Sequence, residues 1–355
     1  MSKTQKIILA FSIIPQILII KWLSHYPEFI ETYYSNGMYS FTSKALRYAF
    51  GWLPFSIGDL FYTAGGIYII RWLLQNRKRV LKDPKNWFLD VLTAFSLIYF
   101  AFHLFWGMNY YRLPIHQSLN IKNTYNTEEL KDVAEKLIEK ANTIHHSITN
   151  NDTIKVVMPF SKRELLAMSD DGYKKLATIH PQLKHNPSST KLSLYSLPLT
   201  YMGFSGYMNP LTNEAHIDGL IPLSKYPTTI CHEKAHQIGY AAENETNFIG
   251  CLAVINNDDI YFKYSGFIFA LRHCINEVYK RDQNLYESLL KKINKGILKN
   301  YQESYEFWSS YKNPLEPLFK TSYNTFLKAN NQDKGIESYS YAVALFVNYF
   351  KDKQL

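Results

Sequence analysis

His232, Glu233 and His236, in the run His232-Glu233-Lys234-Ala235-His236, are the residues of this chain whose types and spacing could do chemistry. The pattern is H-E-x-x-H. On a helix, positions i and i+4 share a face, so both imidazoles can reach one zinc ion. Glu233 projects towards the open side of such a metal. There a carboxylate can take a proton from an activated water and pass it to a leaving amine. The chemistry implied is zinc-dependent hydrolysis, with Glu233 as general base.

The elements that must position these residues are legible nearby. Pro227 suits a first helical turn, where its missing N–H costs nothing. Gly239 suits the helix C-terminus, and a second helix is expected from about Ala242. The bland alternative, a surface helix with two histidines, does not call for this punctuation. Catalytic zinc needs a third protein ligand and leaves the fourth position to water. Glu243 and Glu245 follow at once. The run Glu245-Thr246-Asn247-Phe248 resembles the second motif of gluzincin-type metallopeptidases, which favours Glu245 as third ligand, with Glu243 the alternative. The metzincin pattern fails, because Ala242 stands three residues after the glycine. Asn247 is either a group that orients a ligand or a helix-surface amide.

The chain has 355 residues and a formal net charge of +9, long enough for two domains. There is no zinc-finger spacing, no phosphate-binding glycine loop and no Lys/Arg tract typical of nucleic-acid binding, so no nucleic-acid partner is expected. Much of the charge sits near apolar segments instead. Residues 7–20 form an apolar run flanked by Lys6 and Lys21, without an A-x-A-like cleavage site, which reads as an uncleaved anchor. Further spans are expected over residues 52–74 and 87–106, with Trp or Tyr at their ends. Asp59 falls in the first turn of the second and is assigned no function. Arg77, Lys78, Arg79, Lys82 and Lys85, with Lys3 and Lys6, make one side cationic. The positive-inside rule then puts the rest of the chain outside the cytoplasm, the periplasm in a two-membrane cell. Cys231, Cys251 and Cys274 are few, odd in number and scattered, which reads as small buried thiols rather than a disulfide framework. An intramembrane protease is excluded because charged residues surround the motif and no spanning run does.

Residues 113–126 read as a linker. A helix should start near Asn126, with Glu129 in capping-box register and Leu130, Ala134, Leu137 and Ala141 on one face. Residues 191–198 alternate as a strand does. Within residues 207–217 an edge strand beside the active-site helix could pair with extended peptide; His216 there reads as a structural or surface histidine rather than a ligand. After Ala253 the chain should be mostly helical, and Arg272, His273, Tyr240 and Tyr339 are candidates to stabilise a transition state.

Taken together, these motifs resemble a family. They are the spans, Trp106-Gly107-Met108-Asn109-Tyr110-Tyr111-Arg112, Gly203 through Glu214, Tyr226-Pro227 before His232, Glu243 to Phe248, Tyr323-Asn324, and Ser338-Tyr339. The family is an uncharacterised one of bacterial polytopic membrane proteins, a domain of unknown function suspected to hold zinc metallopeptidases. Lys234 and Thr246 depart from its usual small residues but remove no ligand. The expected fold is α+β and mainly helical: three transmembrane helices in residues 1–112, the linker, and an extracytoplasmic zincin-like domain over 127–355. The expected function is a zinc metallopeptidase of the inner membrane acting on a peptide or protein. The alternative is a non-catalytic envelope binding or sensor protein with a structural or vestigial zinc. A closed fourth coordination position, or the absence of a groove, would mark that alternative.

Overall fold

The computed structural model describes residues 1–332, 335 and 341–355. Two of the described helices are long and apolar enough to cross a membrane: α1, Lys3–Leu23, and α4, Pro84–Phe105. Most of their large apolar side chains, such as Ile14, Leu18, Phe95 and Ile98, are exposed, as lipid-facing residues would be. Polar groups stitch the two together. Lys6 Nζ lies 2.5 Å from Asp90 Oδ1, and Gln16 Nε2 donates to Ser96 Oγ at 3.0 Å. Ile20 and Met108 share an apolar cluster at the other end. The helices therefore run parallel, both leaving a shared cationic end where Arg79 also reaches Asp90 at 3.0 Å.

The expectation of three spans is corrected to two. Residues 52–74 do contain a helix, α3, Ile57–Asn76, about 30 Å long. However, Asp59, Arg71 and the pair Gly65-Gly66 dilute its apolar character. Asp59 is also not at a lipid interface. It is fully buried and accepts from Leu194 N at 2.7 Å, Ser193 Oγ at 3.1 Å and the Tyr207 hydroxyl. Those bonds tie the start of α3 to the sheet. They also shorten the expected strand over 191–198, because Ser193 turns to Asp59 and a helix, Ser196–Met202, begins three residues later.

The sheet has three short strands in the order β1-β3-β2: β1 Thr190–Leu192, β2 Gly206–Met208 and β3 Ala215–Ile217. β3 pairs parallel with β1 and antiparallel with β2, leaving β2 as an edge. Most of the remaining described chain is helical, including α2 (Tyr39–Phe50), α6 (Lys162–Ile179) and α10 (Lys295–Ser310), and much of it wraps one core. α5, Thr127–Thr149, has the expected Asn126–Glu129 capping box and buries Leu130, Ala134, Leu137 and Ala141 against α9, Ile260–Arg281. Burial of each such leucine contributes about 1.5–3 kcal/mol. The three cysteines are free and buried, and burial pushes the Cys231 and Cys274 thiols up to about 12.

A buried charge cluster holds α3 to the sheet. Glu214 accepts from Gly58 N at 2.6 Å and pairs with Lys191 Nζ at 3.0 Å, all fully or nearly fully buried. A carboxylate at a helix N-terminus is favourably placed. His216 is structural, as expected: it is fully buried, with Nε2 2.7 Å from Ser56 Oγ. Burial alone would raise the Glu214 pKa, but bonds from His216, Gly58 N and Lys191 bring it down to about 2. A depressed carboxylate stabilises the fold above its unfolded value and loses that contribution as pH falls through the folded value. Thermal stability of the detergent-purified chain should therefore fall as pH drops from about 4.5 to about 2. Glu214→Gln should cost about 3 kcal/mol at neutral pH and show a smaller acid loss than wild type.

Candidate metal centre

α7, Tyr226–Gln237, carries the motif. Pro227 stands in its first turn, and Gly239, at φ 92°, ends it in the left-handed region that favours glycine. α8, Glu243–Ile255, starts after the cap residue Ala242. The two helices pack with backbones almost touching: a Cβ on Gly250 would lie 2.7 Å from His232 N. No larger residue fits that crossing. Because the helices meet there, the first two turns of α8 face His232 and His236.

Glu243 is the residue brought to the histidines. One ligand atom from each of His232, His236 and Glu243 lies within 4.8 Å of the others. His232 Nε2 is 3.3 Å from Glu243 Oε2, and His236 Nε2 is 3.7 Å from Glu243 Oε1. Around a small divalent cation with bonds of about 2.0–2.1 Å, tetrahedral ligand atoms sit roughly 3.4 Å apart, so the three donors fit one ion. The far side of each ring is fixed. His232 Nδ1 donates to Asn247 Oδ1 at 3.0 Å, and His236 Nδ1 to the Tyr240 carbonyl at 2.8 Å. Donation from Nδ1 leaves Nε2 as the bare lone pair, the arrangement a metal-binding histidine needs. Asn247 is thus an orienting group. Tyr323, on α11 (Glu316–Ala329), donates to Glu243 Oε1 at 2.6 Å.

The preference for Glu245 as third ligand is corrected by this geometry. Residues i and i+2 on a helix point to different faces. Glu245 turns away from the histidines and accepts from Ile115 N at 2.7 Å. Beside it Arg112 donates to the Gly239 carbonyl at 2.8 Å, reaches Glu31 at 2.6 Å and lies 4.0 Å from the Tyr240 ring centroid. The segment expected as a linker is therefore docked, with Ile115 buried. Glu245 looks like a ligand in sequence because spacing alone does not tell which of two nearby carboxylates shares the histidines' face.

Lys234 does not intrude. It is fully buried and reaches away from the centre to Ser169 Oγ at 2.6 Å and Asp170 Oδ1 at 2.5 Å. Glu233, His232, His236 and Glu243 all line one cavity of about 960 Å³. Its walls carry several aromatic rings, including Tyr62, Phe102, Trp106 and Phe326. The edge strand β2 runs beside Glu233, whose Oε1 would lie 2.9 Å from a Cβ on Gly206. Glu233 Oε2 is buried and, among the described residues, has no hydrogen-bond partner. Burial pushes Glu233 up to about 8, with His232 opposing and Glu243 adding. Burial takes His236 down to about 4, which keeps it neutral. Burial alone would raise Glu243, but the two imidazoles beside it and the bond from Tyr323 bring it down to about 2.

Of the candidate stabilisers, Arg272 lines the cavity. His273 packs on Phe269 with ring centroids 4.6 Å apart, and Tyr240 lies beneath Arg112. Tyr339 and Ser338 fall outside the described residues. Sequence reasoning gives no role to Tyr323, Tyr39 or Arg47, because none lies in register with the motif. Tyr39 donates to the Gln237 carbonyl at 3.2 Å, and Arg47 to the same carbonyl at 2.7 Å. In the purified chain, Glu243→Ala should abolish stoichiometric metal, Glu245→Gln should retain it, and Asn247→Ala should weaken affinity 10–100-fold. Metal per chain after dialysis against graded chelator measures all three.

Searches of curated proteins and of solved structures each returned no match. A family profile described as "Protein of unknown function (DUF3810)" matches residues 34–347, a range that runs from the helices packed on α7 through the donor residues to the C-terminal helices. The chain belongs to that family.

Proposed function

We propose that this chain is a membrane-anchored, zinc-dependent peptidase whose catalytic centre is His232, Glu233, His236 and Glu243. One observation carries the reading. Two histidines and a carboxylate converge on one point, and beside them stands a buried glutamate with an unpartnered oxygen, facing a cavity large enough for a substrate. Two nitrogens and a carboxylate oxygen are the His₂Glu set of catalytic zinc sites. Zinc held there supplies Lewis acidity towards a scissile carbonyl and makes water a nucleophile at neutral pH.

The protein's own groups do the rest. His232 and His236 present Nε2 because Asn247 and the Tyr240 carbonyl hold their Nδ1 protons. Glu233, raised towards neutrality by burial, takes a proton from water at its carboxylate and delivers it to the leaving nitrogen, the role a base poised near working pH performs best. The edge strand β2 lines the same cavity, and an extended peptide can add to such an edge. That is the reason for a peptide rather than a small ester. The non-catalytic alternative calls for a closed fourth position or no groove. Glu245 points away from the histidines and a cavity is present, so nothing favours it.

Two apolar helices provide the anchor in a lipid bilayer. They run parallel from the cationic end formed by Lys3, Lys6 and residues 77–85. The positive-inside rule makes that end cytoplasmic and the catalytic domain extracytoplasmic. The test is peptide cleavage by the zinc-loaded, detergent-purified chain. Glu233→Gln should lower kcat 10²–10⁴-fold with zinc content unchanged. Equal cleavage by Glu233→Gln and wild type would overturn the mechanism.

A further inference from the structure

The cavity that holds the metal centre also holds two cations with no acidic partner. Lys225 and Arg272 both line it. Among the described residues no carboxylate forms an ion pair or hydrogen bond with either; Arg272 only sits 5.7 Å from the Tyr301 ring centroid. Among other buried cations, Arg112 pairs with Glu31, Lys191 with Glu214 and Lys234 with Asp170, while Arg47 is answered by the Asn213 amide oxygen and the Gln237 carbonyl; among the described residues Lys225 and Arg272 have neither kind of partner. Two unpaired cations close enough to repel each other are costly unless something answers them. Their mutual effect is visible on Lys225, whose ammonium burial pushes down to about 7, with Arg272 adding to the shift.

Their placement relative to the metal centre is set by the helix. Lys225 immediately precedes α7, seven residues before His232. Seven residues are nearly two full turns, so Lys225 stands above His232 on one face, roughly 10 Å along the axis. Thr228, Thr229 and His236 line the cavity on the same face. Arg272 approaches from α9, one turn after Phe269, which also lines the cavity. A span of roughly 10 Å is about three residues of extended peptide.

Resting on the proposed peptidase reading, we propose that Lys225 and Arg272 form an anion subsite that binds a carboxylate of the substrate about three residues from the bond to be cut. The shared chemistry is a carboxylate. Its source is either the free C-terminus of a short peptide or an Asp or Glu side chain within a longer one. Arg offers a planar fork for bidentate capture and Lys a point charge. The subsite would select acidic substrates and fix their register on β2, so these residues position substrate rather than act on the reacting atoms.

The test uses the full-length, zinc-loaded chain in detergent and three peptide hydroxamates that chelate zinc at one end, titrated by calorimetry. One carries a free C-terminal carboxylate three residues away, one is its neutral amide, and one is amidated with Asp at that position. At least one of the two acids should bind about ten-fold tighter than the amide, and which one does so identifies the source. The preference should vanish in Lys225→Gln and in Arg272→Gln at unchanged zinc per chain, and persist in Lys225→Arg. Equal affinity for all three compounds, or a preference that survives both glutamine variants, overturns the subsite and leaves the peptidase reading standing. If none of the three binds the zinc-loaded chain, the peptidase reading fails and the subsite with it.

Discussion

The backbone contact between α7 and α8 at Gly250 is the constraint on which the centre depends. With any side chain there, α8 would have to lift from His232 N. The lift would carry Glu243 away from both imidazoles and Asn247 away from the His232 ring. One missing Cβ therefore sets the spacing of three donors and one orienting amide. The rest of the centre is support for that crossing. Tyr323 reaches Glu243 from α11, and Tyr39 and Arg47 bind the carbonyl of Gln237 where α7 ends. The ring of Trp106 stands edge-on to His236 at 5.7 Å.

These supports come from the parts of the chain nearest the apolar helices. Tyr39 and Arg47 precede α3, Trp106 caps α4, and Arg112 and Ile115 dock on Gly239 and Glu245. Asp59 and the N-terminus of α3 are held by the sheet that flanks Glu233. The helices that carry the candidate centre are thus packed into the two apolar helices rather than tethered to them. A site assembled this way has little freedom to move away from the apolar helices, and its cavity wall includes Phe102 from α4 itself. Burial follows from the same assembly. It makes Glu233 basic, His236 neutral and Glu243 dependent on its neighbours for its charge.

Local chemistry was legible in the residues, and three-dimensional choice was not. The H-E-x-x-H spacing, Pro227, Gly239 and Ala242 located both site helices to within a residue, because caps and periodicity are local effects. The Asn126–Glu129 box was equally plain. Glu245 was preferred over its alternative Glu243 because spacing does not tell faces apart: a two-residue shift on a helix reverses the face presented, and packing at Gly250 turns Glu243 towards the histidines. The third span was misjudged because aromatic and aliphatic residues in α3 resemble a lipid-facing helix, while Asp59 is engaged by Ser193, Leu194 and Tyr207, all far along the chain. Lys225 and Arg272 could not be paired from sequence at all, since they meet only when α9 crosses the cavity. Membership of the family covers nearly all of these residues and adds no activity to them.

X-ray absorption at the zinc edge of the detergent-purified chain distinguishes a His232–His236–Glu243 centre from any other donor set. One zinc per chain is expected, with four light-atom neighbours and the scattering signature of two imidazoles, the spectrum altered in the Glu243→Gln protein and unchanged in the Glu245→Gln protein. Sulfur neighbours, a single imidazole, or a spectrum that changes with Glu245 and not with Glu243 would contradict that centre.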